Sequence, residues 1–149
     1  NIIGLVDLGG GGLVALAGFA HGGFSRGQVL RVRRTGEWKA AAWLDLDSAA
    51  EAFALESRDS LLVLTTTGLF RLTACGDLTR LALADYDALY PTSLAVDPQG
   101  VIYVGMRHYV TRFVPAGGAK LREEWLTRED CAKSDVRHFE CVCTPALRP

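Results

Sequence analysis

Apolar residues in this chain come in short runs separated by Gly, Asp, Pro and Ser. Runs of that length bounded by turn formers predict antiparallel strands and hairpins. The order of the runs repeats. Residues 2–6, 13–16, a segment around Arg31 and residues 38–46 form one series. Residues 52–55, 61–64, a segment around Arg71 and residues 78–83 form a second. Residues 93–96, 101–104, a segment around Arg112 and residues 120–125 form a third. In each series an Arg stands between two strand-type residues and a Gly follows five positions later: Arg31 with Gly36, Arg71 with Gly76, Arg112 with Gly117. The arginines are spaced 40 and 41 positions apart. A repeat of that length holding four short strands has the dimensions of a β-propeller blade.

The predicted fold is therefore all-β: three four-stranded antiparallel blades, part of a larger or self-completing propeller. The blades occupy about residues 2–46, 52–83 and 93–126, and residues 127–149 form a cysteine-containing tail. Residues 61–64 and 101–104 are apolar at consecutive positions instead of alternating, which predicts sheets covered on both faces. Asp97-Pro98-Gln99-Gly100 is the sharpest turn signal. A longer loop is expected from His21 to Gly27. Two stretches, residues 40–42 and 48–52, are rich in helix formers and leave a helical alternative open. Thr127 before Arg128-Glu129-Asp130 could cap a short helix, so the tail is expected to be irregular or helical.

Composition narrows the class. The chain has 149 residues, 49% apolar and 22% charged, with a formal net charge of -1. That is a globular composition without the basic stripe a nucleic-acid binder needs. No apolar run reaches the length of a membrane-spanning helix. The first residues carry no signal-peptide pattern, and the first residue is Asn1, which predicts a processed chain or one piece of a longer product. Cys131, Cys141 and Cys143 crowd into the tail, and Cys75 lies alone. The three tail cysteines fit one disulfide, from Cys131 to Cys141 or Cys143, or free thiols, or a metal site with His138 nearby. Their clustering leans toward an extracytoplasmic compartment.

The passage from Pro91 to Gly105 holds a small apolar strand, Asp97-Pro98-Gln99-Gly100, and then Val101-Ile102-Tyr103-Val104. It resembles the blade motif of NHL, gluconolactonase-like and related six- or seven-bladed propellers. The likeness extends over about residues 2–126. Only the third copy keeps Asp-x-x-Gly; the first has Gly9-Gly10-Gly11-Gly12 and the second Arg58-Asp59-Ser60. Three blades do not close such a ring. The resemblance thus implies completion by a missing first half, by a second copy, or by a foreign partner covering the open face.

The resemblance also implies that partners meet the rim built from inter-blade linkers and from loops between second and third strands. Residues there that suit a protein or peptide contact are His21, Phe24 and Arg26; Tyr86, Asp87 and Tyr90; and Arg107, His108 and Tyr109. A solvated loop without a partner is the plainer alternative for each. Lactonase-type propellers are implied to hold a divalent metal on inner-strand Glu, Asn and Asp. Here the inner strands carry no internal carboxylate, and Asn1 is the one Asn of the chain. No Gly-x-Ser-x-Gly elbow and no phosphate loop is present. None of His21, His108 and His138 has a convergent acid or nucleophile, so no catalytic residue, metal or cofactor is assigned. Arg31, Arg71 and Arg112 are expected to serve the architecture, with the stem packed between blades and the guanidinium reaching a carbonyl or carboxylate. The leading expectation is a non-enzymatic module binding a protein or peptide. The alternatives are a metal-dependent hydrolase or lactonase with part of its site elsewhere, and a propeller binding a sugar or another small ligand.

Overall fold

The computed structural model describes residues 1–7, 12–21, 24–84, 86 and 89–126. These form twelve strands in three four-stranded antiparallel sheets, each a simple meander in chain order. Sheet 1 holds β1 (Ile2–Asp7), β2 (Gly12–His21), β3 (Phe24–Thr35) and β4 (Glu37–Leu46). Sheet 2 holds β5 (Ala50–Ser57), β6 (Ser60–Thr65), β7 (Gly68–Thr73) and β8 (Leu78–Leu83). Sheet 3 holds β9 (Ser93–Val96), β10 (Ile102–Gly105), β11 (Val110–Pro115) and β12 (Leu121–Leu126). The chain divides into two compact units, Asn1–Asp85 with sheets 1 and 2, and Tyr86–Pro149 with sheet 3.

Of the stretches rich in helix formers, residues 40–42 lie in β4 and residues 50–52 in β5, while Ser48 and Ala49 belong to the linker between them. Ala40, Ala41 and Ala42 pair with Val32, Arg31 and Leu30. Alanine favours helix weakly, and tertiary pairing overrides a preference worth only tenths of a kcal/mol per residue. Of the expected long loop from His21 to Gly27, His21 and residues 24–27 are instead strand. His21 pairs with Phe24, Ala20 with Ser25, and Phe19 with Arg26. β1 reaches β2 only as far as Ala17, and β4 reaches β3 only from Gly27. The β2–β3 hairpin therefore runs beyond its sheet as a two-stranded arm.

In the first unit, sheets 1 and 2 pack face to face, as successive blades do. Val14, Leu16 and Val29 of sheet 1 meet Leu61, Val63 and Leu72 of sheet 2. All six are 4% exposed or less. Truncating one such leucine to alanine typically costs about 2–5 kcal/mol. Gly4 allows the sheets to approach: a β-carbon there would lie 1.8 Å from Phe53 Cε1. Leu62, Leu64 and Leu69, on the other face of sheet 2, are fully buried as well. Burial on both faces accounts for the unbroken apolar run in β6.

The repeated arginines sit at matching places. Arg31, Arg71 and Arg112 each lie in the third strand of a sheet. Gly36, Gly76 and Gly117 each occupy the turn into the fourth, with φ of 85°, 102° and 95°. That left-handed conformation is one only glycine adopts without strain. The guanidinium groups differ in what they hold. Arg31 reaches from sheet 1 to the Ala74 carbonyl of sheet 2 at 2.8 Å. Arg71 grips Glu56 with two hydrogen bonds, of 2.6 and 2.5 Å. Arg112 pairs with Glu124, directly opposite on β12, at 2.7–2.8 Å.

In sheet 3 the turn Asp97-Pro98-Gln99-Gly100 is closed by its aspartate. The Asp97 carboxylate accepts from the Gln99 and Val101 backbone N–H groups, both at 2.9 Å. Gly100 has φ of 80°. Tyr103 donates its hydroxyl to the same carboxylate at 3.2 Å. The aromatic at the centre of β10 thus ties the turn to the sheet.

Candidate functional site

In both units the linker entering a sheet meets the loop between its second and third strands. In the first unit Ser48 Oγ and Thr67 Oγ1 are 2.9 Å apart, and Thr67 Oγ1 donates to Asp47 at 3.4 Å. In the second, the Arg107 N–H donates to the Leu89 carbonyl at 3.1 Å and the Thr92 N–H to the Gly105 carbonyl at 3.0 Å. One end of sheet 2 and one end of sheet 3 are thereby built from two chain segments. Backbone and side-chain hydrogen bonds hold them together, which gives side chains there a defined platform.

On sheet 3 that platform carries an aromatic surface. Tyr90 is 61% exposed, with the Arg107 guanidinium 6.0 Å from its ring centre. Tyr90 also has φ of +52°, the only non-glycine residue with positive φ among the described residues. An L side chain rarely adopts that conformation unless its surroundings impose it. Tyr109 and Trp125 are 45% and 44% exposed, and their rings meet edge to face at 6.0 Å. His108 packs edge-on to Tyr109 at 6.4 Å. Tyr90, Arg107, His108 and Tyr109, chosen from two separate sequence segments, are therefore brought to one end of one sheet.

Tyr86 belongs beneath this surface, not on it. It is 4% exposed, and its ring meets Trp125 at 5.8 Å and 87°. Its hydroxyl donates to Glu123. Burial, and then the Glu123 carboxylate, push its phenol far above the ordinary tyrosine range. Buried Thr111 lies 3.4 Å from the same carboxylate and donates to the Glu124 carbonyl at 2.9 Å. Glu123 is thus fixed from two sides, and Trp125 is propped from below. Sequence reasoning missed Trp125 because it closes a strand that otherwise reads as charged, Leu-Arg-Glu-Glu-Trp-Leu. The available signal was its isolation: a large aromatic among arginines and glutamates.

The other candidates lie apart or outside the description. His21 and Phe24 form the last described pair of the β2–β3 arm. Arg26 is exposed at the root of the arm, where it lines an open depression of about 250 Å³ with Gln28 and Asp45. Asp87, Cys131, Cys141 and Cys143 lie outside the described residues, as does His138. Cys75 is an exposed free thiol in the β7–β8 turn. Among the described residues no group of three or more His, Cys, Asp or Glu side chains is placed to hold a metal ion. No helix among them is long and apolar enough to cross a membrane. No protein-family model matches the chain, and no curated protein matches it either.

Proposed function

We propose that this chain is a non-enzymatic interaction module, built of propeller-type blades like those of NHL and gluconolactonase-like proteins. It binds a protein or peptide through the rim of its third sheet. The observation that carries this reading is the exposure of Tyr90, Tyr109 and Trp125 beside Arg107 on a hydrogen-bonded platform. Trp, Tyr and Arg are the residues that dominate protein interfaces; the two aromatics offer a large contact area at low entropic cost, and Arg adds charge and a planar hydrogen-bonding fork. The strained backbone at Tyr90 supports the same reading, since strain of that kind clusters at binding sites.

The test is selection of a displayed random-peptide library on the whole chain, followed by affinity measurement on the enriched peptides. Binding should weaken at least about tenfold in Trp125→Ala and Tyr109→Ala, the loss of a typical hot-spot side chain. Peptides that bind both variants as tightly as the original chain would place the contact elsewhere and overturn the reading.

A further inference from the structure

Arg107 is held in place through its backbone, not through a carboxylate. The Met106 N–H donates to the Tyr109 carbonyl at 2.8 Å, which closes the β10–β11 loop around Arg107 and His108. The Arg107 N–H donates to the Leu89 carbonyl at 3.1 Å, which ties that loop to the linker carrying Tyr90. The guanidinium lies 6.0 Å from the Tyr90 ring centre. Among the described residues no carboxylate pairs with it. Arg112 and Arg122 of the same sheet both pair with Glu124. Glu123, the carboxylate nearest to the aromatic surface, receives the Tyr86 hydroxyl beneath Trp125.

We infer, on the footing that the sheet 3 rim binds peptides, that its ligand is acidic: an Asp or Glu side chain meets Arg107 while a neighbouring apolar side chain packs on Tyr109 and Trp125. A peptide seated on the three exposed rings takes Arg107 out of water. A charge removed from water without a partner is costly, so a ligand that supplies the opposite charge is selected over one that does not. The contact with Tyr90 draws on the charge of the guanidinium and leaves its N–H fork for a carboxylate. A phosphorylated residue is ordinarily read by a cluster of arginines, whereas the other two arginines of this sheet are already paired. Geometry sets the spacing as well. Arg107 and Tyr109 are two positions apart, so their Cα atoms lie within about 7 Å of each other. The acidic and apolar residues of the peptide must therefore be immediate or next-nearest neighbours in its sequence.

The peptides selected on the whole chain supply the probe. Those whose binding depends on Trp125 should carry an acidic residue next to, or one removed from, an apolar one. Isothermal titration calorimetry then compares one such peptide with a form in which the carboxylate is replaced by the matching amide. The amide form should bind the original chain at least about tenfold more weakly, the loss of one charge-assisted hydrogen bond. That comparison needs no variant to fold. Arg107→Gln should weaken the acidic peptide by the same factor, and Arg107→Lys by less, since lysine keeps the charge without the fork. The amide form should bind the original chain and Arg107→Gln equally, so the two changes are non-additive. Arg122→Gln, at an exposed arginine already paired with Glu124, should hold the affinity within about twofold. Trp125-dependent peptides that lack an acidic residue, or that bind Arg107→Gln at full strength, overturn the inference and leave the rim as a peptide site. So does equal weakening by Arg122→Gln, which would mean a diffuse field instead of a contact. If no enriched peptide depends on Trp125 or Tyr109, the rim is not the peptide site, and the inference falls with it.

Discussion

The Arg31 guanidinium lies 3.6 Å from the centre of the Trp43 ring. From that position it donates to the Ala74 carbonyl in the neighbouring sheet, across a separation of 43 residues. One side chain therefore joins a cation–π contact within sheet 1 to a hydrogen bond that crosses into sheet 2. Its two counterparts, Arg71 and Arg112, spend their guanidinium groups on carboxylates of their own sheets.

Arg31→Ala should lower stability by about 2 kcal/mol, since a cation–π contact and a charged hydrogen bond are lost together. Arg31→Lys should fall in between, because a lysine keeps the charge but not the planar fork. Urea unfolding measures both. A loss below about 0.5 kcal/mol for Arg31→Ala, the range of ordinary surface changes, would mean that the contact contributes nothing.

The architecture was legible because it is written several times over. Apolar runs, turn residues and the Arg-to-Gly interval all keep one period, and the three sheets follow that period strand by strand. The β2–β3 arm was not legible, since Gly22, Gly23 and Gly27 read as loop residues. In the structure Gly18 and Gly27 are close-approach sites: a β-carbon on either would strike the backbone of Ala50 or Ser48. Composition cannot distinguish a glycine that bends the chain from one that another strand passes closely. Tyr86 was misplaced for a related reason. It lies in a linker, yet its burial depends on Trp125 and Glu123, 37 residues and more away. The convergence of Tyr90 with Arg107 and Tyr109 could be anticipated, because the meander brings the linker and the β10–β11 loop to one end.

Gly4→Ala tests the approach of the first two sheets. The added methyl would meet the Phe53 ring far inside contact distance, so the ring or a strand must move. Overpacking of this kind costs about 1–3 kcal/mol. Adding Phe53→Leu should recover part of the loss, giving a non-additive double-mutant cycle. Strict additivity in urea unfolding would show that the two positions do not press on each other.

Glu56 gives the acid side of the pH profile a specific sign. Hydrogen bonds from Arg71 hold its carboxyl below the ordinary 4.5, against an opposing effect of burial. A carboxylate with a depressed folded-state pKa adds stability above the unfolded value, and that stability is lost as pH falls through the folded one. Glu56→Gln should therefore be less stable than the original chain at neutral pH, and the gap should close below about pH 4.5. Guanidinium unfolding at a series of pH values measures it. An equal gap at pH 3 and pH 7 would count against the pairing.

Tyr86 acts at the alkaline end. Its phenol is raised above the ordinary 10.0, first by burial and then by Glu123. A raised folded-state pKa means stability that is full below pH 10 and lost as pH rises beyond it. Phenolate absorbance should show a late ionising step coincident with unfolding, and Tyr86→Phe should remove that step. The same variant should cost about 1–2 kcal/mol at neutral pH through the lost hydrogen bond. A tyrosine titration unchanged by Tyr86→Phe would place the late step on another residue.

Tyr90 separates stability from binding. Its side chain is largely exposed, so removing it takes little from the core. Its backbone is in the left-handed region, where a residue with a β-carbon pays roughly 1–2 kcal/mol and glycine pays almost none. Tyr90→Gly should therefore match or exceed the stability of Tyr90→Ala by about 1 kcal/mol, reversing the usual order of these two substitutions. Both variants lose the ring beside Arg107, so both should weaken peptide binding alike. If Tyr90→Gly proves the less stable of the two, the left-handed backbone at this position is not sustained in solution. If both bind selected peptides at full strength, Tyr90 lies outside the contact, and only Tyr109 and Trp125 can serve as its aromatic anchors.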